Sequence, residues 1–537
     1  MRVTALLALV LLALPALPGC TKASQSAATG NELRIALPIE PTQLNPILEQ
    51  NAIENTVDGL MFDELVTLDA QQREVPDLAE TVPTLANGGV SKDGLTIVYH
   101  LRHGVKWHDG APFTSRDVKF TWQAIMNPSN NVVSRRGYDQ VASVDTPDDY
   151  TVIFHMKHIF PPAVDTIFGE SDTPYRILPA HLLAKYPNLN QVPFNSAPVG
   201  TGPYEFARWQ HGDRIVLRAN PNYFRGAAHV ATLTLLDIPN DDTTVAQLRT
   251  REAQLAIEIT LSAYNELSGD SRVTRQLVTD PSFVAIYFNT ARTPLDDVRV
   301  RRALVEGMDR AAIVRDDTYG TGTLAVADLS PFYWAFDASL KPVPYDVAAA
   351  KALLQSAGWT PGPDGVRVKD GKRLSLQLVF GQGSQTARTL AAQVQQMLKP
   401  LGVEIELKNY DYAVLYAAQE SGGILNSGKF DLAVYSWVAG GDPDNASDWT
   451  CAAIPPGGNN VTRYCSPEMD ALQHLALSTF DRNVRKAAYA KIEALLLRDV
   501  PAAFLFYQPM RYAHVPELQN FTPNGISEGW NAQDWAL

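Results

Sequence analysis

Cysteine is scarce, with three residues in 537, at positions 20, 451 and 465. No CxxC pair and no neighbouring histidine pair completes a zinc site. Basic charge is in deficit: 45 Lys and Arg face 58 Asp and Glu, a formal charge of −13. That balance excludes a phosphate-binding surface of the kind nucleic acids need. Catalytic signatures are missing too. There is no GxSxG and no HExxH, and the Gly-x-Gly turn Gly200-Thr201-Gly202 lacks both a P-loop ending and GxGxxG spacing. His155 and His158 fall on opposite faces of a strand and do not converge on one metal. Long apolar runs are confined to residues 5–14.

The composition that remains is that of a globular protein, with 45% apolar and 19% charged residues. The length exceeds what one core supports, so two to four domains are expected. At the start, Arg2 precedes the short apolar run, which ends in Leu17-Pro18-Gly19-Cys20. A positive end, a run too short to span a membrane and a small-residue ending read as a signal peptide over residues 1–19. The ending resembles a bacterial lipobox, which makes Cys20 a lipid-bearing N-terminus followed by a flexible tether to residue 31. Cys451 and Cys465 are then an even pair in an exported chain. They are either a disulfide worth about 3 kcal/mol in the chain-entropy model or two free thiols.

The most structured stretch is residues 93–128, DGLTIVYHLRHGVKWHDGAPFTSRDVKFTWQAIMNP. Leu95, Ile97, Tyr99 and Leu101 alternate with more polar neighbours, which predicts a strand with one buried face. Trp107-His108-Asp109-Gly110 turns the chain, and Thr114 with Asp117 forms a capping box for a helix that Asn127-Pro128 ends. Further strands are expected at residues 32–38, 150–156, 233–238, 283–289, 374–380, 403–407, 430–437 and 502–507. A short helix running into a strand is expected over 59–68. Other helices are expected at 241–251, 297–314, 348–357, 386–398, 412–419 and 482–497. Alternation of the two predicts an α/β chain.

The wording of residues 93–122 closely resembles the signature of the bacterial family 5 extracellular solute-binding proteins, the receptors of peptide, nickel and related ABC importers. So do Leu44-Asn45-Pro46, PDLAE at 76–80, ILPAH at 177–181, PVGTGPY at 198–204, RIVLRANPNY at 214–223 and the helix at 297–314. The resemblance runs from about residue 32 to the C-terminus. It implies a bilobed, periplasmic-binding-protein-like α/β fold, class II, of the large three-domain type with a hinge. Residues 32–67, 198–290 and 501–537 would form lobe 1, residues 68–197 a domain inserted in it, and residues 291–500 lobe 2. The implied partners are a peptide or other small polar solute and the importer's permease. No cofactor, metal or catalytic residue is implied, and the chain is expected to be a monomer anchored outside the cytoplasm by the lipid on Cys20.

Ligands bind at the carboxyl ends of strands in open α/β sheets. The loop after residues 430–437 is therefore the expected site: Trp437, Ala439, Gly440, Gly441, Asp442 and Asp444, with Trp449 as a second flat surface and Glu49 reaching in from the loop after the first strand. In peptide-binding members this loop resembles D-x-G-D-P-D-N, and its first Asp pairs with the peptide's α-amino group. That Asp falls at Ala439 here, and alanine cannot hold an ammonium. Asp442 and Asp444 either substitute for it or do Asx-turn and capping work. An oligosaccharide, opine or metal chelate is thus the alternative to a peptide. Arg135-Arg136 could hold a carboxylate or form a solvated face. Trp107 and His108 read as a packed turn. A secreted hydrolase is the alternative of a different class, and Ser384 is its nearest nucleophile.

Overall fold

The computed structural model describes residues 31–48, 51–438 and 440–537. Cys20, Glu49, Ala439 and the leader and tether up to residue 30 lie outside the described residues. Two large sheets organise the rest. The first has seven strands in the order Thr274–Val278, Met510–His514, Leu255–Ala256, Glu32–Leu37, Thr232–Asp237, Arg214–Ala219 and Tyr204–Gln210. The second has six: Thr323–Leu324, Ala502–Tyr507, Phe283–Phe288, Leu432–Trp437, Ser375–Gly381 and Glu404–Tyr410. A three-stranded sheet, Thr96–His100, Thr151–Met156 and Val141–Asp148, packs with the helix Ser115–Met126 beside the first.

The sequence patterns explain these placements. Thr96–His100 alternates and buries Ile97 and Tyr99 on one face. Phe283–Phe288 is apolar throughout and buried at all six positions, because side chains pack on both faces of its sheet. It pairs antiparallel with Leu432–Trp437, Ile286 opposite Val434, and with Ala502–Tyr507, Ile286 opposite Ala503. The strands Phe283–Phe288 and Ala502–Tyr507, which the expected division gives to lobe 1, thus pair within the second sheet. The chain crosses between the sheets at residues 279–282 and 508–509.

Local chemistry shifts other elements. The expected helix over 297–314 is two, Val298–Glu306 and Arg310–Asp317, broken at Gly307, with Asp309 capping the second through Ala312 N–H at 2.9 Å. The helix at 412 stops at Leu415. The helix before Val66–Leu68 is Ala52–Asp58, earlier than expected, with Asn51 accepting Glu54 N–H at 3.1 Å. The expected capping box forms, Thr114 N–H donating to Asp117 at 2.9 Å. Cys451 and Cys465 are joined in a disulfide that closes a loop 14 residues apart in sequence.

The turn at Trp107-His108 and the turn at 198–204 lock together. Trp107 is buried. The His108 backbone donates to Gly200 O at 2.8 Å, and Gly200 N–H donates to His108 Nδ1 at 3.1 Å. His108 Nε2 lies 3.1 Å from Gly202 O. One ring nitrogen must accept and the other donate, which only neutral imidazole can do. Burial accordingly pushes His108 down to about 4. The pair is structural glue, and His108 is not poised for chemistry.

Buried carboxyls make stability depend on pH. Glu493, on the helix Arg482–Asp499, is 1% exposed, and burial beside Asp328 and Asp337 pushes it from 4.5 to about 9. The folded state therefore holds a proton that the unfolded state releases above its ordinary value. The stability contributed by that proton is full below pH 4.5 and is lost as pH rises toward about 9. Glu493→Gln removes the ionisation. It is expected to raise the melting temperature, by more at pH 8 than at pH 5. Thermal melts at the two pH values check this, and an equal or reversed effect contradicts it.

Candidate functional site

The strand Leu432–Trp437 delivers its carboxyl end to the gap between the second sheet and residues 162–174 of the inserted region. The loop that follows is held from both sides. Asp442 accepts Asp444 N–H at 2.9 Å, and Asp444 accepts Ala446 N–H at 3.0 Å, which opens the short helix Ala446–Trp449. These are Asx turns. Behind the loop, Arg485 donates to Asp442 Oδ1 at 2.6 Å, with both side chains about 5% exposed or less. In front, Gly441 N–H donates to Glu170 O at 2.7 Å. A Cβ on Gly440 would fall 2.5 Å from the Asp172 backbone nitrogen, so only glycine lets the two chains approach this closely. Tyr333 closes the loop's third side, its hydroxyl 3.1 Å from Gly440 O.

Charges bridge the same gap. Arg136 reaches Asp444 at 3.0 Å and Asp172 at 3.6 Å. Arg482 pairs with Glu74. Asp165 lies beside Glu74 and Asp442, and burial with these like charges holds it well above the usual carboxylate range. Two guanidinium groups, Arg482 and Arg485, thus serve three carboxyls.

Two cavities line the gap, and a third opens beside it. One, of about 30 Å³, lies between the loop and residues 162–172, walled by Trp437, Asp448 and Arg136. A second, of about 380 Å³, shares Ser171, Asp172 and Val438 with it and extends past Asn51, Asn55, Glu258, Asp280 and Glu528. Burial pushes Glu258 up to about 7 and Asp280 to about 6. The third, of about 270 Å³, lies in the second sheet's half under Tyr412, Tyr416 and Tyr435, with Gln508 from the crossing segment at its edge. Tyr435 stacks on Tyr287 at 4.0 Å. A solute here would touch both halves of the molecule and both crossing segments.

Sequence expectations divide against this geometry. Trp437, Gly440, Gly441, Asp442 and Asp444 come together around the first cavity. Asp442 and Asp444 do the turn work, and both are already paired with arginines. Trp449 is a correction: it is 1% exposed, packs edge-on against Phe504 at 6.0 Å and donates to Asp328 at 2.6 Å. It faces the core because its short helix leaves the loop pointing inward, so it offers no surface to a solute. Glu49 and Ala439 lie outside the described residues. Arg135 caps the carbonyls of Ile125, Asn127 and Asn130, whereas Arg136 spans the gap. Ser384 caps the helix Gln385–Leu398 through Ala387 N–H at 3.1 Å, a capping role and not that of an activated nucleophile. Sequence reasoning missed Asp172, Glu258, Asp448 and Arg485. None carries a motif, and Arg485 meets Asp442 across 43 positions.

Comparisons with known proteins bear on this arrangement. The chain is 29% identical over 528 residues to the oligopeptide-binding protein AppA of Bacillus subtilis, covering 96% of this chain and 93% of that protein. The structure of that AppA in complex with a nonapeptide superposes with a TM-score of 0.74 at 26% identity, covering 95% and 99% of the two chains. NikZ from Campylobacter jejuni in complex with Ni(L-His) superposes at 0.76 with 26% identity, covering 94% and 99%. Such neighbours share the bilobed α/β fold. Residues 75–454 match the middle region of the bacterial extracellular solute-binding proteins, family 5. The chain belongs to that family.

Proposed function

We propose that this protein captures a peptide between its two lobes and hands it to the permease of an ABC importer. The observation that carries the reading is the set of cavities at the end of Leu432–Trp437, walled by both halves of the molecule and bordered by the two crossing segments. Closure of the lobes about residues 279–282 and 508–509 buries the solute, in the manner of a hinge. Binding energy comes from desolvation and backbone hydrogen bonds, with water filling the slack. No bond is made or broken. The similarity to AppA over nearly the whole chain favours a peptide. The similarity to NikZ with Ni(L-His) favours a metal chelate as the second reading.

On this reading the three-part division holds with its boundaries at the crossings: lobe 1 with residues 68–197 inserted, and lobe 2 running from the first crossing to the second. The chain acts as a monomer outside the cytoplasm, tethered by a lipid on Cys20.

Tetraalanine tests the function. Mixed with the protein, it is expected to bind in calorimetry and to return unchanged from chromatography. Fragments would overturn the receptor reading. A nickel–histidine complex that binds where tetraalanine does not would select the chelate.

A further inference from the structure

The third cavity differs in chemistry from the cleft it opens beside. We propose that it seats a neutral aromatic ring of the solute, held by Tyr412, Tyr416 and Tyr435. This rests on the receptor reading above and adds a side-chain preference at one position of the peptide.

The cavity forms where three parallel strands end. Ser375–Gly381 runs parallel to Glu404–Tyr410 on one side and to Leu432–Trp437 on the other, so their carboxyl ends share one edge of the sheet. Gly381 closes the first of these strands, and a Cβ there would fall 2.5 Å from the Tyr412 ring. The glycine thus gives that ring room over the strand end. Tyr412 and Tyr416 follow the second strand, their rings parallel within 6° and 6.0 Å apart. Tyr416 meets Tyr435 of the third strand edge-on, at 6.0 Å and 83°. Tyr435 is backed in turn by Tyr287 at 4.0 Å. Aromatic surface therefore lines the cavity in two perpendicular orientations. A guest ring lying offset on one tyrosine meets another edge-on, and aromatic pairs favour both arrangements.

The rest of the lining is uncharged. Val284, Leu390 and Val434 supply apolar walls, and Ser384, Ser436 and Gln508 supply polar atoms. No Asp, Glu, Lys, Arg or His lines this cavity among the described residues. The first cavity, by contrast, is lined by Arg136 and several carboxyls. A charged side chain entering the third would leave water without finding a partner. The volume of about 270 Å³ is ample for a phenyl, phenol or indole group, since a cavity of roughly 150 Å³ already admits benzene. A methyl group would leave most of it to water.

The cavity is joined to the cleft along two segments. Ser436 lines the third cavity, and Val438 lines the first and second. Gln508 lines the third, and Met510 the second. One solute can therefore reach from the cleft into the tyrosines. Tyr412 and Tyr416 are 49% and 43% exposed, so a bound ring covers aromatic surface that otherwise faces water.

The test uses the full chain, its Tyr412→Ala/Tyr416→Ala double variant and Tyr416→Phe. Rings this exposed can be removed without opening the core. Calorimetry compares tetraalanine with tetrapeptides that carry phenylalanine, lysine or glutamate at each position in turn. Thermal shift with indole alone probes the cavity without a peptide. At one position phenylalanine is expected to bind the wild type at least about tenfold more tightly than alanine does. Lysine and glutamate at that position are expected to gain nothing. The double variant should bind tetraalanine within about twofold of wild type and lose the phenylalanine gain, whereas Tyr416→Phe should keep it. Indole is expected to stabilise the wild type and not the double variant. If tetraalanine binds and no phenylalanine peptide gains more than about twofold, or if the double variant keeps the gain, the proposal is overturned. Failure of every tetrapeptide to bind, or cleavage of tetraalanine, would remove the receptor reading for peptides, and indole then decides the cavity alone. Indole binding that the double variant loses upholds the aromatic seat; no binding, or equal binding to both chains, overturns it. If the double variant melts early, a crystal structure of the wild type with indole decides instead, and a ring bound anywhere but among these tyrosines overturns the proposal.

Discussion

Arg485→Met is expected to cost about 3–5 kcal/mol of folding stability at pH 7 and to abolish solute binding. The guanidinium is 4% exposed and is wrapped on several sides. It donates to Asp442 at 2.6 Å and to Ala476 O at 3.1 Å, and it lies 5.3 Å over the Trp334 ring. Methionine fills the space but leaves the Asp442 carboxylate buried with no counter-charge. A carboxylate held out of water without its partner is what makes the loss large. Adding Asp442→Asn to Arg485→Met should recover part of the loss. Asn keeps one acceptor for the turn and removes the stranded charge. Urea unfolding at pH 7 and pH 5 measures all three chains. A single variant within about 1 kcal/mol of wild type at pH 7 would mean the pair does not hold the loop.

Gly200→Ala is expected to be nearly as damaging, although the site lies away from the cleft. A Cβ there would stand 1.8 Å from Met61 O, a backbone atom that cannot step aside. The neighbouring contact, Gly202 N–H to Met61 O at 2.8 Å, fixes the same two chains from the other side. Relief requires separating the 198–204 turn from residues 61–62, which also strains its three hydrogen bonds with His108. Overpacking of this kind typically costs about 1–3 kcal/mol, and loss of the paired turn adds to it. A fall in melting temperature with no change in solute affinity per folded molecule is the expected result. An unchanged melting temperature would contradict the packing.

What the sequence made legible follows from how local each signal is. The strand–turn–helix at 93–128 was readable because alternation, turn residues and a capping box all lie within a few positions. Ala502–Tyr507 was readable as a strand, but its partner sheet was not. Its hydrogen bonds go to Phe283–Phe288, more than two hundred positions away, and no local pattern encodes that. The loop at 437–445 was found through its glycines and its carboxyl-end position. The roles of its acids were settled by Arg136 and Arg485, which reach it from distant segments. Trp449 was misjudged for a related reason. A tryptophan beside a glycine-rich loop has the composition of a binding surface, and only the direction of the short helix Ala446–Trp449 turns it into the core. Which distant segments share a sheet was not legible from the alternation of elements, because those pairings join residues far apart in the sequence.

The central claim is that a solute sits where the 437–448 loop meets residues 162–174. It is tested most directly by what the protein carries. The chain expressed without residues 1–20 would be purified, denatured and its released small molecules weighed by mass spectrometry, beside the Gly440→Val variant. A Cβ at residue 440 meets the Asp172 backbone at 2.5 Å, so valine should hold the gap open while leaving both sheets intact. The wild type is expected to release a solute in near-equal proportion to protein, and the variant to release little or none. The same solute in equal amount from both chains would put its site elsewhere and contradict the account.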